Sequence, residues 1–266
     1  MTLEETLLPI VERDSLLFED VLRKHDTAVR DTLVHSPYPM TGRAVFMFYL
    51  KSSFLKNAIL ATCQSEDSYS SKILYRSYIE HYLRHRYLLF KFLEVKSDEP
   101  GNDYYHFAML EEGIRFLYGV NKSNQIHSGT VGKIDLSEDI EALLQRPEYK
   151  GISKAEALSK SAQFEYKQIL SYFRQARSAT TTPEIPFFRW LVADYAELSS
   201  YVHGGPWAED DLNKQSLDDS VVQNLFAIAK KAFNMHCTLA EATFFFAKVI
   251  NPEFANFKEI FKSYLL

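Results

Sequence analysis

The stretch that most constrains the fold runs from Ser71 to Glu94, because it reads as a long helix that is apolar on nearly every side. At about 100° per residue, Arg76 and Glu80 lie within about 40° of each other on this helix. Apolar side chains share that side, namely Ile73, Leu83, Tyr87 and Phe90. Burying an ion pair costs free energy unless further polar partners complete it. We therefore expect polar groups of another element to meet Arg76 and Glu80 inside the fold.

Helical periodicity recurs along the whole chain, and no stretch alternates with the period of a strand. The predicted helices are 3–35, 41–65, 71–94, 103–120, 137–146, 153–179, 187–203, 217–250 and a short one at 253–264, with loops at 121–132 and 207–217. The pattern predicts an all-α fold, a single-domain bundle of roughly seven to nine helices. Residues 41–250 are the predicted core of this one domain, 1–266, with helices 3–35 and 253–264 as additions.

Composition excludes several classes of protein. With 46% hydrophobic residues, a chain of 266 residues has ample material for a core. The formal net charge of −5 means that the surface as a whole does not attract nucleic acid. No signal peptide and no membrane span are predicted, and the pair Cys63 and Cys237 gives no disulfide framework, so we expect a cytoplasmic protein. No phosphate loop, nucleophile elbow or zinc motif is present, so no cofactor is predicted.

A second polar couple lies near Gly204-Gly205, which is a strong helix stop. Ser199 and His203 are four residues apart and share one face of the predicted helix 187–203 with apolar side chains. His203 lies in the last turn, where the negative end of the helix dipole favours its protonated form. If this helix packs on the helix 71–94, then Arg76, Glu80, Ser199 and His203 meet as one buried network.

This combination resembles a bacterial family of helical proteins of unknown function, whose members carry an Arg-x-x-x-Glu helix and, farther on, a Ser-x-x-x-His helix ending in Gly or Pro. The matching residues are Arg76, Glu80, Ser199 and His203. The chain is also similar to the broader HEPN class of helical ribonucleases and toxins, although Leu198 stands where the HEPN arginine would be. The resemblance implies a HEPN-like fold, a homodimer and chemistry without a metal.

The resemblance implies a metal-independent endoribonuclease or toxin, acting in phage defence or stress. His203 would be the general acid or base, Arg76 would hold the scissile phosphate, and Glu80 and Ser199 would orient them. RNA would bind a local basic patch interleaved with tyrosines. Its residues are Lys72, Arg76, Arg84, Arg86 and Lys91, with Tyr75, Tyr78, Tyr82 and Tyr87. In the alternative, the network is structural, and the chain is a non-enzymatic helical binding or scaffold protein that contacts another protein or a second copy of itself.

Two further pairs of residues are weaker candidates. Arg30 and His35 match the spacing Arg-x4-His at a helix end, where two prolines allow the chain to bend, and the plain alternative is a solvated helix end. His81 and His85 are four residues apart and would suit a metal, but no third ligand is suggested by the sequence, so no metal is predicted.

Overall fold

The computed structural model describes residues 3–176, 185–215, 220–254, 257 and 260, and the described residues contain helices and turns but no strand. The all-α prediction is therefore confirmed. The α-helices, in chain order, are α1 (Leu3–Arg23), α2 (Asp26–Val34), α3 (Pro39–Gln64), α4 (Ser68–Val95), α5 (Glu99–Asp103), α6 (Met109–Ser128), α7 (Ser137–Leu144), α8 (Lys154–Ala162), α9 (Tyr166–Ala176), α10 (Ile185–Val202), α11 (Pro206–Gln215) and α12 (Ser220–Ile250). A π-helix, Tyr104–Ala108, joins α5 to α6, and a 3₁₀ helix spans Pro147–Tyr149.

The described residues divide into more helices than predicted. The predicted helix 153–179 is divided into α8 and α9, and residues 177–179 lie outside the described residues. The predicted loop 207–217 was wrong over residues 207–215, because Pro206 at the first helical position and Glu209 in the first turn begin α11, and residues 216 and 217 lie outside the described residues. The predicted loop 121–132 was wrong over residues 121–128, which belong to α6. Most of the predicted C-terminal helix, 253–264, lies outside the described residues.

The N-terminal segment belongs to the core and is not the added helix that we predicted over 3–35. It forms two helices, separated by a turn at Lys24 and His25, so that α1 packs on α12 while α2 packs on α3. Leu22, Val29 and Leu33 are fully buried.

Three long helices, α3, α4 and α12, contact one another and form the centre of the bundle. The start of α4 is fixed by Asp67, whose carboxylate accepts a hydrogen bond of 2.9 Å from the backbone N–H of Ser70. α3 is the one helix among the described residues that is long and apolar enough to cross a membrane, and half of its most apolar window is buried. Its apolar character follows from its position, because α2, α4 and α12 pack around it.

Candidate functional site

The predicted contact between the two polar helices is present, because α4 packs directly on α10. The helices run antiparallel, since Lys72 early in α4 donates to Tyr201 late in α10, at 2.7 Å. One turn farther along α4, the hydroxyl of Tyr75 donates to Asp194 at 2.8 Å. The two helices are therefore joined by polar contacts at the edge of an apolar interface.

Arg76 and Glu80 lie in a cluster of charges between α4, α6 and α10. The guanidinium of Arg76 donates to the hydroxyl of Tyr195 at 2.6 Å, lies 4.4 Å from the centre of that ring, and approaches Glu80 to 3.5 Å. Glu80 also accepts from Arg84 at 3.1 Å, and Arg84 lies 3.6 Å from Glu112. The side chains of Arg76, Glu80 and Arg84 are 18%, 24% and 15% exposed. The polar partners that the sequence required are thus Tyr195 and Arg84.

In the other half of the predicted network Ser199 is half-buried and His203 is exposed, and the four predicted residues do not meet. Ser199 donates its hydroxyl at 2.8 Å to the carbonyl of Tyr195 on its own helix. His203 is exposed, and the hydrogen bonds of the described residues do not join its ring to Arg76 or Glu80. His203 follows Tyr195 by two turns, about 12 Å along the axis, in the direction that leads away from Arg76.

The physical reason for this error is the choice of the packed face. Among residues 190–202 of α10, whose side chains the structure describes, Leu191, Leu198 and Tyr201 are buried, so they define the side that meets α4. Ser199 follows Leu198 by one residue, which turns its side chain about 100° away from that side. The apolar stripe that we assigned to the interior therefore borders the solvent.

The predicted RNA surface on α4 is largely inside the protein. Its tyrosines are core residues, with exposures of 2% for Tyr75, 0% for Tyr78, 1% for Tyr82 and 6% for Tyr87. Its cations are already engaged or covered: Lys72 is paired with Asp211, Lys91 lies 3.4 Å from Glu94, and Arg86 is buried. These tyrosines are not available to stack on bases.

Arg30 in the middle of α2 and His35 at its C-terminal end both reach solvent. Two nitrogens of Arg30 donate to one oxygen of Asp31, at 3.0 and 2.9 Å, and more than half of the Arg30 side chain is exposed. His35 is the residue that caps α2 and is also exposed. This geometry is that of a solvated helix end with both groups accessible.

The pair His81 and His85 points into the protein. His81 donates from Nε2 to the carbonyl of Phe48 at 2.7 Å, and burial lowers its pKa to about 4. His85 is fully buried, which holds its pKa well below the usual range. Within the described ranges, no group of three His, Cys, Asp or Glu side chains is placed to hold a metal ion.

Sequence reasoning missed a buried polar network between α1, α3 and α12. The ammonium of Lys56, which is 0% exposed, lies 2.8 Å from Glu19. Ser53 donates to the same carboxylate at 2.6 Å, and His236 approaches it to 3.1 Å. Although burial opposes ionisation, the contacts with His236 and Lys56 hold the pKa of Glu19 well below its usual range. The available signal was a lysine in an apolar helical stretch, which requires a carboxylate from elsewhere in the chain.

The exposed side chains of α10 and α11 include both aromatic rings and acidic groups, and we call these side chains together the acidic aromatic surface. The chain has two tryptophans, and both lie here, with Trp190 66% and Trp207 68% exposed. Its exposed members include Trp190, Val192, Glu197, Val202, His203, Trp207 and Glu209. Residues 190–213 contain the acids Asp194, Glu197, Glu209, Asp210 and Asp211 and neither lysine nor arginine.

Comparison of this chain with protein families, with curated proteins and with solved structures found no match. The described residues form an all-α helical protein with a charged cluster at Arg76, a buried network at Lys56 and the acidic aromatic surface. Its functional assignment therefore rests on this geometry.

Proposed function

We propose that the chain is a non-enzymatic helical binding protein that contacts its partner through the acidic aromatic surface. The observation that carries the proposal is the exposure of both tryptophans on neighbouring helices. Tryptophan is usually well buried, and it is enriched among the residues that dominate binding energy at protein interfaces. A partner that covers Trp190 and Trp207 removes their apolar surface from water, which stabilises the complex.

The charges of this surface indicate the chemistry of the partner. Glu197 and Glu209 are exposed on these helices, and residues 190–213 contain neither lysine nor arginine. Arg189 and Lys214 flank this stretch in the sequence, and Asp194 and Asp211 are paired with Lys231 and Lys72. Such a surface repels a polyanion and attracts a polypeptide that carries both basic and apolar groups. We therefore infer a partner segment of the basic amphipathic helix type, whose apolar face covers the tryptophans. A second copy of this chain would bring the same acidic groups to this surface.

The cluster at Arg76 supports a structural role in this proposal. Arg76 reaches Tyr195 on α10, and Arg84 reaches Glu112 on α6, so Glu80 between them ties three helices together. The two terminal nitrogens of Arg76 contact Glu80 and Tyr195, and its Nε, which has no hydrogen-bond partner, is buried. A catalytic arginine needs donors that a phosphate can reach. Cys63 and Cys237 are both free thiols, which suits the reducing cytoplasm that we include in the proposal.

Calorimetry with a defined peptide tests this function. The full chain is titrated with a synthetic amphipathic helix of leucine and lysine, and with a matched helix of leucine and glutamate. We expect binding of the basic peptide alone, weakened about tenfold or more by Trp207→Ala. Phe116→Ala is the matched control, because Phe116 is 71% exposed on α6, outside the surface. Equal binding of both peptides, or full binding by a Trp190→Ala, Trp207→Ala variant, would contradict the proposal.

A HEPN-like metal-independent ribonuclease or toxin, acting in phage defence or stress, is the second candidate. The observation that favours it is that Arg30 and His35 are both exposed, which leaves a cation and an acid–base group accessible to RNA. Purified protein is incubated with total RNA in the presence of a chelator. This candidate requires cleavage that His35→Ala or His203→Ala abolishes, and intact RNA excludes it.

A further inference from the structure

A partly enclosed cavity of about 170 Å³ lies between α4, α5 and the end of α8. Its apolar lining comes from Tyr87, Leu88 and Phe164, which are 6%, 2% and 6% exposed. The rings of Tyr87 and Phe164 meet edge to face, with centres 6.0 Å apart. An apolar cavity of about 150 Å³ is large enough to bind benzene. This cavity therefore has room for one compact apolar group.

Charged groups of both signs surround this apolar lining. Asp103 and Glu99 come from α5, Lys160 comes from α8, and Lys91 comes from α4. Lys160 lies 3.3 Å from Asp103 and 3.8 Å from Glu99, which is longer than a strong charge-assisted hydrogen bond. Lys91 is held at 3.4 Å by Glu94. These loose pairs leave donors and acceptors for an entering ligand.

Asp103 has two features that mark functional sites. Its side chain is 25% exposed, and burial raises its pKa despite the neighbouring ammonium of Lys160. Carboxyl groups in clefts that combine such a shift with a specific charged partner are candidates for functional residues. Asp103 also immediately precedes the π-helix Tyr104–Ala108, and π-helical turns inside α-helices occur frequently at functional sites.

We propose that this cavity binds a small zwitterion, namely an α-amino acid with an apolar side chain. Its ammonium would pair with Asp103 and Glu99, and its carboxylate with Lys160 and Lys91. Its side chain would lie on the apolar lining. A ligand with a single charge would leave groups of its own sign desolvated and unpaired, which is costly. Because α10 and α11 contribute nothing to the lining, the site does not depend on the function proposed above.

Calorimetry with L-leucine and L-phenylalanine tests the class of ligand. The matched probes are 3-methylbutylamine, which lacks the carboxylate, and 4-methylpentanoate, which lacks the ammonium. For ligands of this size we expect a dissociation constant on the order of 0.1–1 mM for at least one amino acid. Both matched probes should bind at least about tenfold more weakly. No amino acid binding below about 10 mM, or tighter binding of a singly charged probe, would overturn the proposal.

Variants then place the binding in this cavity. Lys160→Met and Asp103→Asn should each weaken binding of the amino acid about tenfold or more, because each removes a charge-assisted hydrogen bond. Lys150→Met and Glu156→Gln are matched controls at exposed positions outside the lining. If Asp103→Asn does not fold, Glu99→Gln at the 61% exposed rim replaces it, with a weakening of several-fold expected. If the folded variants of Lys160 and of Asp103 or Glu99 bind the amino acid with unchanged affinity, the ligand binds elsewhere and the proposal is overturned.

Discussion

Lys56 on α3 and Glu19 on α1 form an ion pair inside the protein, with the ammonium nitrogen 2.8 Å from the carboxylate oxygen. His236 on α12 approaches the same oxygen, and its other ring nitrogen lies 2.7 Å from the hydroxyl of Ser52. Three helices from distant parts of the chain therefore meet at one carboxylate. Removing either member of this ion pair leaves the other charge buried without its partner, which lowers the stability of the fold.

Replacing Lys56 by Met should destabilise the fold strongly. The change leaves Glu19 buried without its ammonium partner, and breaking a buried pair in this way costs about 3–5 kcal/mol. Urea unfolding of Lys56→Met measures the loss, and Lys51→Met on the exposed side of α3 is the control, expected to change stability by less than about 0.5 kcal/mol. The double variant with Glu19→Gln should recover part of the loss. A Lys56→Met protein as stable as the wild type would show that the pair is not buried.

Acid should weaken the fold in two steps. The pKa of His81 is lowered to about 4 by burial, so the unfolded chain, with an ordinary value near 6.5, binds the proton more readily. The free energy of unfolding should therefore fall as the pH drops from about 6.5 to about 4, by roughly 3 kcal/mol from this residue. Below pH 4.5 the unfolded chain also protonates Glu19, whose folded pKa is held lower, and further stability is lost.

Urea unfolding at a series of pH values measures this dependence. His81→Gln should reduce the slope between about pH 6.5 and 4, because one titrating group is gone, while His85 and His236, whose pKa values burial also lowers, keep part of it. His127→Gln, at an exposed position on α6, should leave the slope unchanged. An identical slope in the wild type and His81→Gln would mean that His81 is not buried as described.

Replacing Glu80 by Ala should cost less than a fully buried pair would. Arg76 keeps its hydrogen bond to Tyr195, and Arg84 keeps its contact with Glu112. The side chains of Arg76, Glu80 and Arg84 are all partly accessible to water. We expect a loss of about 1–3 kcal/mol, the range for hydrogen bonds to charged groups. Thermal unfolding beside the exposed control Glu241→Ala measures it. Equal stability of the two variants would indicate that the cluster is a solvated surface network.

Two glycines should respond to alanine in opposite directions. A Cβ at Gly101 would lie 2.1 Å from the backbone nitrogen of Thr41, which is far inside contact distance. Gly101→Ala should therefore cost about 3 kcal/mol or more. A Cβ at Gly119 in α6 meets no atom within 4 Å, so Gly119→Ala should stabilise the protein by about 0.5–1 kcal/mol. Chemical denaturation of both variants tests the pair, and a neutral Gly101→Ala would contradict the close approach of α5 to α3.

The sequence predicted what depends on local periodicity. The long helices over 41–65 and 71–94 and the contact of the latter with the helix around 187–203 are present, because apolar spacing determines which residues form a helix and bury a face. The loop predicted at 207–217 is helical over residues 207–215, since a short helix that packs by few residues leaves a weak periodic signal.

The contacts that depend on how the helices pack were not predictable from the sequence. On α10, two neighbouring faces carry apolar residues, and only the position of α4 decides that Leu198 faces inward and His203 outward. The same limit applies to Lys56, whose partner Glu19 is 37 residues earlier in the chain. Periodicity indicates that such a side chain needs a partner, whereas packing selects which one it receives.

The π-helix at Tyr104–Ala108 has a consequence for insertions and deletions in this chain. A π turn closes its hydrogen bonds over one residue more than an α turn, so it stores one extra residue within an otherwise continuous path from α5 to α6. A sequence shortened by one residue here can run from Glu99 to Ser128 as a regular helix with Met109 and the residues after it still facing their present neighbours. The chain can therefore vary in length by one residue in this segment. Such a change alters the backbone directly after Asp103.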